Sequence, residues 1–377
     1  MARRGENIYK RKDGRWEGRY IKGRKPDGKA RFGSIYGRTY GEVKNRLLPL
    51  KTAYSEHGRE DVNTTPFREY LLAHLAGKQG RVKPSSYDSY HRIVHNHILL
   101  GLGKFPMHQL TRQHVEEFLS SLRRAGQSDG SVLNIFRFLA GVTKQAAQSG
   151  AMAKDICAGI TLPKPKRKKV KALTRAQQGA VERAATATAQ ASGGSCFGLD
   201  ILIALHTGLR VGEICALRWE DIDLDIGVIH VNHTLARLNQ HGKAKTKTAL
   251  VLDAPKSESS QRDVPINALL LKQLRARRKS AAGNFVMEGR RGGPVEPRVL
   301  QYRFERLLHR ARLPRVGYHT LRHTFATRCA ELNVPTATIS GLLGHSSIRT
   351  TEETYIHSLM EQRFAAVHML GKLALAA

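Results

Sequence analysis

Four stretches stand in this order along the C-terminal half of the chain: Thr207-Gly208-Leu209-Arg210-Val211-Gly212-Glu213, His319-Thr320-Leu321-Arg322-His323, Gly341-Leu342-Leu343-Gly344-His345 and Thr354-Tyr355-Ile356-His357. Two arginines, several histidines and a late tyrosine are the parts needed to attack a phosphodiester without calling on a metal. A phenoxide supplies the nucleophile, guanidinium groups hold the phosphate oxygens, and imidazoles move protons.

The local setting of each residue fits such work. Gly208 permits a left-handed backbone just ahead of Arg210. Glu213, three residues on, shares a helical face with Arg210 and is placed to orient it by a charge-assisted bond. His319 and Arg322 are spaced i, i+3, so one helical face presents both to one phosphate. Arginine's fork suits two non-bridging oxygens, and a histidine titrates near neutrality. His323 points elsewhere and reads as structural. Lys256, in Ala254-Pro255-Lys256-Ser257-Glu258-Ser259-Ser260-Gln261-Arg262, begins a polar stretch that reads as a hairpin loop between two strands. Tyr302 and Tyr318 read as core or hinge residues.

This order, the spacings and the small flanking residues resemble the tyrosine recombinases, or phage integrases, over residues 60–377. The resemblance implies that Tyr355 is the nucleophile, that Arg210, Arg322 and His345 bind the scissile phosphate, and that His319 transfers protons. Lys256 would protonate the 5′-oxygen leaving group; Lys243, Lys245 and Lys247 are rival candidates. Tyr355 lies ten positions after His345, where many members of the family have nine and this chain has Thr354. The implied activity is site-specific recombination of double-stranded DNA through a 3′-phosphotyrosyl intermediate, integrating and excising a mobile element, without ATP, metal or other cofactor. Implied partners are core and arm attachment sites, three further copies in a homotetramer, and DNA-bending or excision proteins. The tail from Gln362 to Ala377, with Phe364, Val367, Leu370 and Leu373 at helical spacing, would dock on a neighbouring copy.

Composition agrees with a nucleic-acid partner. Against 31 Asp+Glu stand 63 Lys+Arg, a formal net charge of +32, and neutralising phosphates with such an excess releases counterions. No apolar run approaches about 18 residues and no signal-peptide core follows Met1, so the chain reads as a cytoplasmic, nucleoid-associated protein with no membrane partner. Cys157, Cys196, Cys215 and Cys329 form no C-x-x-C and read as small buried residues. His95 and His97 fall on opposite sides of a helix, against a metal pair.

The expected architecture is multidomain and mainly α. Residues 1–59 hold 17 Lys/Arg against 6 Asp/Glu, hence net +11. Strands at Asn7 to Lys12 and Arg15 to Ile21 flank an Asp13-Gly14 turn, a third runs from Ala30 to Tyr36, and Thr39 with Glu42 opens a helix through Ser55. Trp16, Tyr20, Phe32, Ile35, Val43 and Leu47 are the expected core. This small domain resembles the arm-binding domain of integrases, with Arg15 and Arg19 as candidate DNA contacts. Residues 60–162 read as helices, from the stripes Tyr87/Tyr90/Val94/Ile98, Val115/Phe118/Leu119/Leu122 and Val132/Phe136/Leu139/Thr143, with Thr111 and Ser131 as N-terminal signals; the layout resembles the helical core-binding domain of the recombinases. Residues 163–171, with Lys164, Lys166, Arg167, Lys168 and Lys169, read as an extended basic linker that crosses the phosphate backbone. Residues 172–377 read as a mixed α+β catalytic domain, beginning with a helix at Thr174 and holding a small sheet built from Gly227 to Leu235, Ala249 to Pro255 and Arg262 to Ile266. Two further readings use the same parts: a DNA-binding regulator of this fold without catalysis, which would lack an arginine, the lysine or the tyrosine, and a type IB topoisomerase, which would lack the small basic domain.

Overall fold

The computed structural model describes residues 7–24, 30–57, 65–163, 165, 172–191, 196–241, 246–254, 260–289, 292–349, 351–352 and 367–368. They form two compact units, Met1–Lys166 and Arg167–Ala377.

The first unit opens with an antiparallel sheet of β1 (Ile8–Lys10), β2 (Trp16–Arg24) and β3 (Ala30–Gly37), with β2 central. Helix α1 (Tyr40–His57) covers one face. Its Val43 and Leu47 are buried with Ile8, and Trp16, Tyr20, Ile35 and Tyr40 pack around them. Gly18 is needed there, because a Cβ would lie 2.7 Å from Val43 Cγ1. Phe32 is not part of this core and is 58% exposed. Side chains alternate along a strand, so Phe32 and Ile35, three apart, cannot share a face; Phe32 pairs with Ile21 on the side away from α1. The Asp13-Gly14 turn is wider than two residues. Arg11 and Arg15 close it by a backbone bond of 2.8 Å, and Gly14 takes φ +84°. At α1, Thr39 accepts from the Glu42 amide, while the Glu42 carboxylate accepts from Arg38 rather than from Thr39.

Helices α2 (Phe67–Ala76), α3 (Pro84–Ile93), α4 (Leu99–Leu102), α5 (Arg112–Arg124) and α6 (Asp129–Gln148) build the bundle that follows. A π-helical turn, Val94–Ile98, joins α3 to α4 and buries both of its end residues. Thr111 caps α5, but Ser128 rather than Ser131 caps α6. Ser131 instead donates its amide to the Ser128 hydroxyl, so α6 begins one turn earlier than expected and adds Ile135, Phe138, Val142 and Ala146 to the buried stripe. Tyr87, Tyr90 and Phe136 are only partly buried at its rim.

In the second unit, α7 (Arg175–Ala191), whose Thr174 and Gln177 cap one another, packs on α8 (Leu199–Thr207). Helix α8 is apolar nearly all round and buried on almost every side, as suits the central element of a core. After α9 (Val211–Ala216) come β4 (Ile222–Asp223), β5 (Val228–Val231), β6 (Thr234–Asn239), β7 (Thr248–Asp253) and β8 (Arg262–Pro265), then α10 (Ala268–Ser280), α11 (Pro297–Arg310), α12 (His319–Glu331) and α13 (Thr336–Leu343). Gly227 to Leu235 is not one strand but parts of two: β5 lies between β4 and β8, whereas β6 pairs with β7. Strands β7 and β8 therefore do not form the hairpin expected around Lys256. Pairing of Val231 with Arg262 and of Thr234 with Asp253 makes β5–β6 and β7–β8 two arms of one antiparallel ribbon. In the sequence, residues 254–261 separate β7 from β8.

A Cβ added at Gly101 would sit 2.3 Å from the Phe118 ring, whereas none of the surroundings of Gly141 on α6 comes within 4 Å. Gly101→Ala should therefore destabilise the protein by about 1–3 kcal/mol through overpacking, and Gly141→Ala should stabilise it by about 0.5–1 kcal/mol. Urea unfolding followed by circular dichroism measures both; equal shifts for the two variants would contradict this packing.

Candidate phosphate-binding site

Helix α8 ends at Gly208, whose φ of +68° turns the chain and whose missing Cβ leaves room for Phe325, otherwise 2.6 Å away. The turn delivers Arg210 to the start of α9. There Glu213, 4% exposed, accepts 2.7 Å from Arg210 Nη1 and 2.9 Å from the Arg210 amide. Arg210 Nη2 donates 3.2 Å to the Gly344 carbonyl.

Helix α12 is preceded by Tyr318, whose buried hydroxyl donates 3.0 Å to Asp200 on α8. That bond fixes the first turn, which carries His319. Burial raises the Asp200 pKa to about 6 against the pull of its Tyr318 and backbone hydrogen bonds. Arg322, one turn on, is 2% exposed and donates 2.8 Å to Gly208 O and 2.5 Å to Leu343 O. His323 meets the His319 ring edge to face, with centroids 4.7 Å apart.

Helix α13 closes in a Schellman motif. Gly344 has φ +63°, its amide donates to Gly341 O, and the His345 amide donates to Ser340 O. His345 thus leaves the helix in a fixed direction, and its Nδ1 lies 2.8 Å from the Thr351 hydroxyl. Arg262, the first residue of β8, reaches the same place. It donates 2.9 Å and 3.3 Å to the two Glu213 oxygens, 2.6 Å to Leu342 O and 3.0 Å to Ser260 O.

The electrostatics follow from this crowding. Burial alone would raise the Glu213 pKa, but bonding and charge from Arg262, then the Arg210 charge, hold it below the usual carboxylate range. His319 keeps an open edge; partial burial is the largest influence pushing its pKa down to about 4, ahead of His323, Arg322 and Arg210. For His345 burial is again first, with Arg322, Arg210 and Arg262 completing the shift to about 4. Both imidazoles are neutral at pH 7 and sit in a positive field, an arrangement that would gain from an anion.

The fold thus brings Arg210, Glu213, His319, Arg322 and His345 into one cluster. Lys256 and Tyr355 lie outside the described residues, as do Lys164, Lys166, Arg167, Lys168, Lys169, Lys243, Lys245 and the tail except 367–368; Lys247 directly precedes β7. Arg15 and Arg19, in the small sheet domain, pair with Asp13 and Glu17. Tyr302 is not in the core but 55% exposed. Sequence reasoning missed Arg262. Its signal was there, an arginine opening the strand that follows Lys256, but nothing in the spacing tied it to Glu213. Among the described residues no group of three His, Cys, Asp or Glu side chains is placed to hold a metal ion.

Residues 168–362 match the family model described as "Phage integrase family", and residues 66–123 match that of a "Phage integrase, N-terminal SAM-like domain". The "Tyrosine recombinase XerC-like" protein of Caldanaerobacter subterraneus subsp. tengcongensis is 27% identical over 89% of this chain and 91% of its own length. Among solved structures, the Tn1549 transposon integrase in complex with transposon right end DNA is similar at a TM-score of 0.68 and 23% identity, covering 81% of this chain and 100% of that one. A lambda integrase tetramer bound to a Holliday junction is similar at a TM-score of 0.56 and 19% identity, covering 90% and 96%.

Because its folded-state pKa is depressed, Glu213 contributes stability above the ordinary carboxylate range and loses it as pH falls through the folded value. Glu213→Gln, which leaves Arg262 buried without its anion, should cost about 3–5 kcal/mol at neutral pH. The gap to the unaltered protein should narrow as pH falls below the ordinary glutamate value of 4.5. Unfolding curves at pH 7 and pH 3.5 measure it, and a gap unchanged by pH would contradict the charge pairing.

Proposed function

Since the chain belongs to the phage integrase family of tyrosine recombinases, enzymes that cut and rejoin DNA at specific sites, we propose that the arginine–histidine cluster is its scissile-phosphate site and that Tyr355 is the nucleophile. The observation that carries this reading is the convergence of Arg210, Arg322, His319 and His345, with both imidazoles held neutral beside the guanidinium groups. An incoming phosphodiester lowers the positive field and makes protonation of the same histidines easier.

In the proposed reaction the Tyr355 oxygen attacks phosphorus, giving its proton to neutral His319. The bond from phosphorus to the 5′-oxygen breaks, and Lys256 supplies that oxygen with a proton. The product is a 3′-phosphotyrosyl link and a free 5′-hydroxyl. A 5′-hydroxyl of the partner strand then attacks the link, restoring tyrosine, with the proton transfers reversed. Arg210 and Arg322 stay charged throughout and stabilise the charge that builds on the non-bridging oxygens. His345 donates a hydrogen bond to the same phosphate.

We further propose the division of the chain into an arm-site domain at 1–59, a core-site bundle at 60–162, a basic linker at 163–171 that crosses the phosphate backbone, and a catalytic domain at 172–377. The small basic domain favours integration and excision of a mobile element, viral or conjugative, by a tetramer assembled on DNA. Accessory DNA-bending or excision proteins belong to the same reading. In the sheet domain Arg15 and Arg19 stand beside exposed Ile21, Phe32 and Tyr36, a surface suited to a DNA groove. A catalytically silent regulator would have lost one of the six reacting residues, and each is present in the sequence.

Tyr355→Phe should bind core-site duplex as the unaltered protein does and form no covalent adduct on a nicked suicide duplex. Lys256→Ala should be slowed by roughly 10²–10³-fold, yet recover when the 5′-bridging oxygen is replaced by sulfur, since a thiolate leaves without protonation. An adduct from the first variant reassigns the nucleophile; equal defects of the second on both substrates reassign the acid. A protein lacking residues 1–59 should still form the adduct at core sites. It should lose distal-site binding and show a shallower salt dependence of affinity, because fewer counterions are released. Integration at the unaltered rate would overturn the arm-site reading.

A further inference from the structure

A helix leaves its last four carbonyls without intrahelical partners. In α13 those belong to Ser340, Gly341, Leu342 and Leu343. The Schellman turn satisfies the first two, through the amides of His345 and Gly344. The next three carbonyls in the chain each take a guanidinium from a different element: Leu342 from Arg262 on β8, Leu343 from Arg322 on α12, and Gly344 from Arg210 at α9. Two of these arginines are assigned above to the phosphate. The third is committed to the protein itself, since Arg262 spends its guanidinium on both Glu213 oxygens and on the Leu342 and Ser260 carbonyls. Its side chain is only 6% exposed.

We propose that Arg262 is a positioning residue for the recombination reaction. It holds Glu213 so that Glu213 holds Arg210, and it fixes the end of α13 so that His345 and Arg210 meet the same phosphate. The proposal rests on the assignment of Arg210 to the phosphate clamp. Lysine cannot replace arginine in this role: one ammonium cannot bridge a carboxylate and two separate carbonyls with a planar fork. Its charge still balances buried Glu213, so the variant avoids an unpaired buried anion.

The test is a double-mutant cycle on single-turnover adduct formation, with a nicked suicide duplex carrying the core attachment sequence. Arg262→Lys should lower the rate by roughly tenfold or more while core-site affinity changes less than about threefold, since an element that only positions groups acts on the reaction and not on binding. In an Arg210→Lys background the same change should add less than about threefold, because the two act along one chain of bonds. Multiplying defects, or an Arg262→Lys enzyme of full activity, would overturn the proposal. An Arg210→Lys enzyme of full activity would overturn the clamp assignment itself, and the positioning role with it. If Arg262→Lys does not fold, Arg262→Gln combined with Glu213→Gln removes both charges together and enters the same cycle in its place. The expected loss and the overturning results are the same.

Discussion

Guanidinium groups that reach the end of a helix do two things at once: they satisfy carbonyls that would otherwise be buried without partners, and they surrender most of their own freedom. At the end of α13 this constraint governs the second unit. Strand β8, helix α12 and the α8–α9 turn approach from three directions, and each must arrive with its arginine in register for consecutive carbonyls to be met. The negative end of the helix dipole favours them there. Glu213 adds a buried anion that lets two of the cations sit close together. A positive cluster on flexible side chains would have to be ordered during the reaction. Here it is ordered by the fold.

The deeper core serves the same end. Asp200 on α8 and Tyr318 at the head of α12 share a buried hydrogen bond, so the helix carrying His319 and Arg322 is pinned to the most apolar helix of the unit. Farther along α12, Thr324 accepts from the Leu173 amide and Arg328 bonds the Leu173 carbonyl. The entry to α7 and helix α12 are therefore one piece. Leaving the Tyr318 hydroxyl in so dry a place is tolerable because its partner is a carboxylate.

Much of this was legible in the sequence. The glycines at 208 and 344, the i, i+3 pair on α12 and the stripes of the bundle have local causes, namely backbone φ, helical period and side-chain volume. What was not legible depends on pairings distant in sequence. Arg262 and Glu213 are 49 residues apart, and no periodicity announces that they meet. Ser128 and Ser131 are equally good caps in isolation, and only the fit of Ile135 and Phe138 into the bundle decides between them. The split of the expected Gly227 to Leu235 strand has the same origin, since two ladders compete for one arm of a ribbon.

That ribbon has a consequence of its own. Both of its ladders are complete without residues 254–261, and each holds its own register. Lengthening a loop whose ends are already fixed costs little, about 0.6 kcal/mol for each doubling. Residues added between β7 and β8 therefore leave the pairing of both ladders intact. An inserted tag or sensor peptide there would be borne by the fold.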